Sequence, residues 1–458
     1  MKNLKNLISF GNYNTYYKFI LYAILFKSLY SIIFGVQIGY CTEELRIFPE
    51  TPLSVHVLIH DAFNYLGVFI IACIISIIVH KKKQKIKRLS EGEKIQSHQR
   101  IKLIHIEKDI QKIRKCTIFK IFLISLLWIF HEQSEKIFYF YQLTDLDYWT
   151  FEMLILSIII NKMFGINVYK HQKFAMYLIL IFGSINKFIS FLISFILDDQ
   201  EILYIQKKYL IPIGIIAFLF IIFLRSYVNC RIKWLMDLKY ISITKLLLFY
   251  GLSGTILTSI FCIIVTFNHC ISDTCTIQYE GKPEKYYDNF IIYFTKFITL
   301  SKLDIFIEIC YILLSIFLNY CCMLTNLLVI KYLTPIHTIC TGAIYYIFMQ
   351  IILICVTKIK TGNFFKPNDK YKKKEKYFLD LSSDIISFFT TTVYLELIEF
   401  NFWGCNYNLR KTIMERSELE RTNVNGSEDN QLFKDDSFWD ETIELYDYSY
   451  KSSESVEF

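Results

Sequence analysis

Charged side chains inside long apolar segments are the residues of this chain that could do chemistry. Lys187 lies near the middle of one apolar stretch, beside Asn186, and Lys27 is similarly deep in the first stretch. An ammonium group at membrane depth is costly and is retained mostly for function. Two such groups facing a cavity would bind an anionic solute, such as a phosphate or a nucleotide-linked sugar. The alternative is that both lysines snorkel to the interface or pair with a carboxylate.

A second polar group lies in a later apolar stretch. Asp304 and Glu308 are four residues apart, so a helix places them on one face. They could pair with Lys187 or exchange a proton during transport, or they could simply contact water at the outer interface. Further along the same apolar stretch, polar residues on one helix face could line a pathway for the solute or form interhelical hydrogen bonds. The predicted substrate-binding residues are Lys187, Lys27, Asn186, Asn319, Tyr320, Asn326 and Glu308.

Other chemical signals are weaker. The pair His56 and Asp61 has the spacing of an acyltransferase base motif, but no partner motif accompanies it. The residues His60, Asp61, His131 and Glu132 are expected near the outer face and could bind a metal, although they lack a ligand-spacing signature. No glycine-rich loop that cradles phosphate is present. The sequence therefore predicts no catalytic residue, no metal and no cofactor, and the chain is not expected to be an enzyme.

Apolar blocks of about 20 residues position these side chains, which is the length that crosses a bilayer. The 458 residues are 54% hydrophobic, and the 6 prolines and 15 glycines are too few for the turns of a membrane barrel. We therefore predict an all-α polytopic membrane protein of about ten transmembrane helices. The predicted spans are 17–38, 57–79, 116–130, 148–168, 174–197, 209–227, 246–267, 304–330, 335–356 and 381–400.

Charge predicts the sidedness of the chain. Basic residues dominate 81–115, which places that loop and both termini in the cytoplasm. The net charge of +8 is then explained by topology and anionic lipid headgroups, so no nucleic-acid partner is expected. The lysines of 366–376 lie in an outer loop by this count, which makes the tenth span the weakest assignment. The predicted domains are a tail 1–15, a membrane domain 16–400 and an acidic, mostly disordered cytoplasmic tail 401–458.

Small residues and cysteines complete the inventory. Gly35 and Gly39 could form a close-packing face on the first helix. Most cysteines fall in predicted spans as small apolar residues, whereas Cys270 and Cys275 lie in a predicted outer loop and are disulfide candidates. The expected partners are the lipid bilayer and a small solute, with a homodimer left open. Endomembrane and plasma membrane are not distinguished.

The predicted spans repeat at a nearly constant interval. The first five begin near 17, 57, 116, 148 and 174, and the second five near 209, 246, 304, 335 and 381. Because five is an odd number, the second half (201–400) would be inverted in the membrane relative to the first (16–200). Inverted halves are a recurrent transporter architecture, with the substrate site near the midplane between them.

A family resemblance agrees with this arrangement. The stretches Lys170-His-Gln-Lys173 and Leu333-Thr-Pro-Ile-His337 resemble turns of the drug/metabolite transporter superfamily, which includes nucleotide-sugar and triose-phosphate translocators. The chain is also similar to uncharacterised ciliate-type multi-pass proteins at 169–175, 334–337 and 395–402. The resemblance implies ten helices in two inverted halves and a transport function.

The sequence thus favours a secondary transporter or exchanger of a small solute, anionic if the two lysines contact it, that works by alternating access. The alternative is a non-transporting receptor or scaffold that recruits partners through the basic loop and the acidic tail. A receptor more typically has an odd number of spans, with its termini on opposite sides. The sidedness of the termini therefore separates the two hypotheses.

Overall fold

The computed structural model describes residues 8–10, 17–43, 57–92, 115–140, 148–165, 169–185, 189, 210–268, 277–278, 285–286, 288–361, 374–400, 405 and 412. Nearly all of these residues are helical, as predicted. Among them, four helices are long and apolar enough to cross a membrane, which supports the predicted membrane location. They are Lys18–Val36, Leu58–Lys82, Ile243–Phe267 and Lys302–Tyr332.

The helices in chain order are α1 Tyr17–Glu43, α2 Val57–Gly92, α3 Lys115–Phe140, α4 Tyr148–Phe164, α5 Lys170–Leu178 with a π-helical continuation Ile179–Ser184, α6 Leu210–Leu238, α7 Ile243–Phe267, α8 Phe290–Thr299, α9 Lys302–Tyr332, α10 Pro335–Thr361 and α11 Lys374–Tyr394. The short strands are β1 Ile8–Phe10, β2 Ile277–Gln278, β3 Lys285–Tyr286 and β4 Ile398–Phe400. β1 pairs with β4, and β2 with β3, both antiparallel.

Each predicted span overlaps a helix within the residues that the structure describes, but several bounds differ. α3 continues ten residues past the predicted end at 130, because polar residues there are bonded inside the bundle rather than exposed to water. α2 likewise continues into the predicted basic loop 81–115, and α6 continues eleven residues past its predicted end at 227. The expected basic turn at 169–173 is the first turn of α5, where Gln172 accepts a hydrogen bond from the Tyr169 backbone at 3.1 Å.

Two further expectations about secondary structure were wrong. The predicted outer loop 268–303 contains α8, whose N-cap Asn289 accepts hydrogen bonds from two backbone N–H groups. The predicted tenth span 381–400 begins earlier, at Lys374, and ends at Tyr394. A turn follows, in which Glu396 has a φ of 59°, and then strand β4.

One end of the bundle, which we call the β1–β4 end, is marked by the pairing of these two strands. Buried side chains from the start of α1, the end of α9, the start of α10 and the end of α11 pack together there: Ile20, Val329, Ile336 and Tyr394. The start of α5 reaches the same end, since His171 Nε2 lies 3.3 Å from Glu396 Oε1. The end of α6 joins it through Lys233, whose Nζ donates to the Lys331 carbonyl at 2.7 Å.

The opposite end, which we call the Asp288 end, contains the start of α2, the end of α7 and the start of α8. The Leu58 backbone N–H at the start of α2 donates to Asp288 Oδ2 at 2.9 Å. At the end of α7, Thr266 accepts from the backbone N–H of Phe290 at 3.2 Å. Helices α1 and α10 therefore run away from the β1–β4 end, and α9 and α11 run towards it.

Helix packing follows a regular scheme. The most extensive pairs are α2 with α7, α1 with α9, α3 with α7, α4 with α6, α2 with α9 and α3 with α6. Further pairs are α5 with α11, α1 with α10, α10 with α11, α4 with α10 and α4 with α5. Smaller contacts join α9 to α6, α7 and α10, and α6 to α10.

The outward faces of these helices are apolar. Leu21 of α1 and Phe306 of α9 are 63% and 64% exposed, and many other large aliphatic and aromatic side chains are similarly open. Water-soluble proteins rarely expose contiguous apolar surface on this scale. The exterior is therefore suited to lipid, and polar groups are concentrated between the helices.

Candidate functional site

The candidate site is a polar network where α2 and α7 cross. The two helices approach closely because α7 presents glycines to α2. A Cβ on Gly251 would lie 2.6 Å from the Phe69 backbone nitrogen, and one on Gly254 would collide with the Tyr65 ring. Small residues at a helix crossing allow such approach. The crossing fixes the position of Tyr65 relative to α7.

A carboxylate on α3 joins both helices at this crossing. Glu132 Oε2 accepts hydrogen bonds from the hydroxyls of Tyr65, at 2.8 Å, and Tyr250, at 2.6 Å. The two tyrosine rings pack edge to face, with centroids 5.3 Å apart. Trp128, one turn before Glu132, packs on Tyr250, with ring centroids 4.3 Å apart. One carboxylate oxygen thus ties α3 to both members of the α2–α7 pair.

The network continues from Glu132 to a second carboxylate. Gln133 Nε2 donates to Asp61 Oδ2 at 2.9 Å and lies 3.5 Å from the Tyr65 hydroxyl. Asp61, Gln133 and Tyr65 are all buried. Two acidic side chains therefore share one hydrogen-bonded network across α2 and α3.

A third branch reaches α1 and α9. Asn64 Nδ2 donates to the Tyr30 hydroxyl at 3.1 Å, and Ser315 Oγ donates to Asn64 Oδ1 at 3.5 Å. Tyr30 also lies within electrostatic range of both Asp61 and Glu132. Five helices therefore contribute to the network: α1, α2, α3, α7 and α9.

Lys27, predicted to contact substrate, lies beside this network on α1. Its ammonium group is 4.5 Å from the centroid of the Tyr345 ring of α10. One turn later, Ser31 Oγ lies 2.5 Å from the Tyr345 hydroxyl. Lys27 also lies within electrostatic range of Cys322 on α9. It is half-buried, so this cation is held between α1, α9 and α10.

The other predicted site residues are distributed along α9 or lie elsewhere. Glu308 is fully buried, which contradicts the alternative that it contacts water at the interface. Asn319 and Tyr320 are buried, whereas Asn326 is half-buried, with Nδ2 3.8 Å from Cys322 Sγ. The residues Lys187, Asn186, Cys270 and Cys275 lie outside the described residues.

The metal hypothesis is not supported by the described part of the chain. No group of three histidine, cysteine, aspartate or glutamate side chains converges there in a way that could hold an ion. His60 instead packs edge to face on Tyr293, with centroids 5.8 Å apart. His131 is buried on α3. Gly35, expected in a close-packing face, is exposed with nothing within 4 Å of its added Cβ.

A second polar cluster lies at the β1–β4 end. His171 is 1% exposed and its ring faces Glu396. Nearby, His337 Nδ1 is 2.7 Å from Thr334 Oγ1, and the His337 ring packs edge to face on Tyr394. The contact with Thr334 holds the His337 ring at the start of α10. This cluster ties α5, α10 and α11 together.

Sequence reasoning missed most of the central network. It identified Asp61 and Glu132, but as possible metal ligands, and it did not select Asn64, Tyr65 or Tyr250. A signal was available, because His60, Asp61, Asn64 and Tyr65 follow helical spacing on one face of α2. Tyr250 had no such signal, since a tyrosine in an apolar helix usually packs in the core.

The arrangement joins hydroxyl, amide and carboxylate groups of five helices in one hydrogen-bonded network. Comparison with known proteins adds no assignment to this geometry. No protein-family model and no curated protein matches the chain.

Proposed function

We propose that the chain is a secondary transporter that moves a small solute by alternating access between two inverted halves. The first half comprises α1 to α5, and the second comprises α6, α7, α9, α10 and α11. One observation carries the proposal: the pattern of helix packing is nearly unchanged when each helix is exchanged with its counterpart in the other half.

The exchange replaces α1 by α6, α2 by α7, α3 by α9, α4 by α10 and α5 by α11. Under it, the pairs α2–α7, α4–α10 and α5–α11 correspond to themselves. The pair α1–α9 becomes α3–α6, α3–α7 becomes α2–α9, and α1–α10 becomes α4–α6, and all of these pairs occur. The smaller contacts of α9 with α6, α7 and α10, and of α6 with α10, have no counterpart of similar extent among the described residues. Every one of the most extensive pairs has one.

Helix direction supports the inversion of the halves. α1 begins at the β1–β4 end, whereas its counterpart α6 ends there. α5 begins at that end and α11 ends there, since His171 faces Glu396. Inverted repeats let a protein present one central site alternately to the two sides by rocking one half against the other.

The central network lies inside the apolar segments of α2 and α7. Tyr65 and Tyr250 each lie seven residues inside an apolar segment, Leu58–Lys82 and Ile243–Phe267. At 1.5 Å per residue this corresponds to about 10 Å from the nearer helix end. The pair α2–α7 corresponds to itself under the exchange, so its crossing lies at the boundary between the halves.

The proposed charge of the solute follows from the lysines. Lys27 borders the network, and Lys187 is its predicted companion on the same half. Together they would contact an anionic, phosphate-like or nucleotide-sugar-like solute. The carboxylates of Asp61 and Glu132 would repel an anion, so we assign them to coupling rather than to solute contact.

The alternative of a receptor or scaffold is less well supported. β1 precedes α1 and β4 follows α11, and the two strands are paired. The segment before α1 and the segment after α11 therefore lie on the same side of the membrane, as an even number of crossings requires. This agrees with the proposed ten spans.

Alternating access can be tested without knowing the solute. Ser315→Cys, in a background without native cysteines, places a thiol in the buried network. A membrane-impermeant thiol reagent is applied to either side of sealed vesicles. Alternating access predicts labelling of this thiol from both sides. Ile256 of α7 is 48% exposed on the apolar exterior, so lipid should protect Ile256→Cys from labelling on either side. Labelling of the Ser315 position from one side alone would contradict the proposal.

The anionic solute is tested separately in proteoliposomes. Uptake of labelled inorganic phosphate and of a uridine-diphosphate sugar is measured for the parent chain and for Lys27→Ala and Lys187→Ala. Each substitution should reduce uptake at least tenfold, while the exposed Lys162→Ala should not. Equal uptake by all variants would remove the lysines from solute binding.

A further inference from the structure

We propose that Glu132 is the proton-binding residue that couples transport to a proton gradient, with Tyr65 and Tyr250 as the groups that sense its protonation. This inference rests on the proposed function, because it assigns a coupling ion to the proposed transporter. The observation behind it is that one carboxylate oxygen accepts hydroxyl groups from two other helices.

The geometry links protonation to helix packing. A carboxylate is a stronger acceptor than a neutral carboxylic acid, and charge-assisted bonds are roughly twice as strong as neutral ones. Binding a proton at Glu132 forms one O–H bond on the carboxyl group and weakens its bonds from both tyrosines. α3 is then held less tightly to α2 and α7. Loss of the proton restores the bonds, so the charge of one group controls contacts among three helices.

The donors around Glu132 favour a proton over a metal cation. Both tyrosine hydroxyls direct their hydrogens at the carboxylate, and the Gln133 amide directs its hydrogens at Asp61. Metal binding needs lone pairs directed at the ion. No group of three metal-ligating side chains occurs in the part of the chain that the structure describes.

The groups that face Glu132 come from every helix of the network. They are Tyr30 of α1, Tyr65 of α2, Tyr250 of α7 and Cys322 of α9, and Asp61 of α2 is connected to them through Gln133 and Tyr65. The carboxylate of Asp61 is the like charge among them. Like charges in one network repel each other, so a proton bound at one carboxylate removes that repulsion.

Access distinguishes the two carboxylates. Asp61 is 7% exposed, whereas Glu132 retains intermediate exposure. The tyrosines bonded to its Oε2 are 4% and 1% exposed. Glu132 is thus the more exposed of the two carboxylates, and its bonded oxygen contacts two buried hydroxyl groups. We therefore assign the proton to Glu132 rather than to Asp61.

Infrared difference spectroscopy between acidic and alkaline buffer tests the assignment on the purified full chain. A protonated carboxyl group gives a C=O stretching band that its ionised form lacks. The proposal expects Glu132→Gln to remove one such band and Asp61→Asn to retain it. Glutamine keeps an oxygen acceptor for both tyrosines, so this variant should remain folded. Tyr250→Phe should shift the same band, because it removes a hydrogen bond to the carboxyl group.

Two results would overturn the inference. A band retained in Glu132→Gln and lost in Asp61→Asn would assign the proton to Asp61. Spectra identical in the parent and both variants would show that neither carboxylate titrates. The infrared measurement does not depend on solute movement. If the Glu132 band is present but the Ser315 thiol is labelled from one side, the transporter proposal fails while the proton site stands.

Discussion

Gly251 of α7 lies so close to Phe69 of α2 that a methyl group on its α-carbon would come within 2.6 Å of the Phe69 backbone nitrogen. The obstructing atom belongs to the backbone, so no side-chain rotation can relieve the clash. The α2–α7 crossing must open to admit even an alanine. Since Tyr65 and Tyr250 meet Glu132 beside this crossing, helix spacing and the polar network depend on each other.

Gly251→Ala should therefore destabilise the protein. Overpacking of a tight contact costs about 1–3 kcal/mol. Thermal unfolding in detergent should show a clearly lower midpoint for Gly251→Ala. Gly35→Ala is the matched control, because its added methyl group meets nothing within 4 Å. Equal midpoints for the two variants would contradict the close approach of α2 and α7.

Tyr250→Phe should also destabilise the protein, by loss of the 2.6 Å bond to Glu132. Hydrogen bonds to charged groups contribute about 1.5–3 kcal/mol. Tyr177→Phe, on an exposed face of α5, removes a hydroxyl without this contact and should be neutral. The double variant Tyr65→Phe with Tyr250→Phe should deviate from additivity, because both hydroxyls share one oxygen. Strict additivity in thermal unfolding would argue against a shared acceptor.

The all-helical class was predictable because apolar blocks of sequence mark the helices, whereas the ten membrane spans and their inverted halves stay predictions. Span starts at 57, 148 and 335 coincide with the helix starts at Val57, Tyr148 and Pro335. Helix ends were less predictable, because the rule that polar residues mark a boundary fails where those residues are bonded inside the bundle. Glu132 and Gln133 are the clearest case, since their partners lie 67 to 118 residues away.

The candidate site was predictable in part. Asp61 and Glu132 were identified only as possible metal ligands near the outer face, because their association depends on helix packing, which the sequence alone does not provide. The lysines were selected as charged groups inside apolar segments, and Lys27 does lie beside the network, over the Tyr345 ring. Lys187 lies outside the described residues, and its contact with solute stays a prediction.

Lys233 should stabilise the end of α9. It lies beyond the predicted apolar part of α6, donates to the Lys331 carbonyl and pairs with Asp237 at 3.1 Å. Helix C-terminal carbonyls lack partners within the helix. Lys233→Met should cost about 1.5–3 kcal/mol, the usual contribution of a hydrogen bond to a charged group. Lys162→Met, at an exposed position, is the control.

Lys233 should also make the free energy of unfolding depend on pH. Burial lowers the pKa of Lys233 from its usual 10.5. In the alkaline window below 10.5 the folded chain then binds fewer protons than the unfolded chain, so stability from this group rises with pH. Unfolding midpoints measured across this window should rise less in Lys233→Met than in the parent. Parallel pH profiles would show that burial does not perturb this amine.

The β1–β4 pairing predicts the sidedness of the termini. Ile8 pairs with Phe400, and Phe10 with Ile398, so the segments before α1 and after α11 lie together. An epitope placed before residue 8 and one placed after residue 412 should both be reached by antibody from the same side of sealed vesicles. Access to the two epitopes from opposite sides would require an odd number of crossings and would favour the receptor hypothesis.

The contact between His171 and Glu396 predicts a closable gate at the β1–β4 end. It joins α5 to α11, two helices that correspond to each other under the exchange of halves. Alternating access requires such contacts to separate when the site opens to that side. A disulfide between His171→Cys and Glu396→Cys, in a background without native cysteines, should hold that end closed. It should then abolish labelling of the Ser315 thiol from the β1–β4 side while preserving labelling from the Asp288 side. Reduction of the disulfide should restore labelling from the β1–β4 side. Labelling that persists from the β1–β4 side in the oxidised variant would show that α5 and α11 do not form the gate.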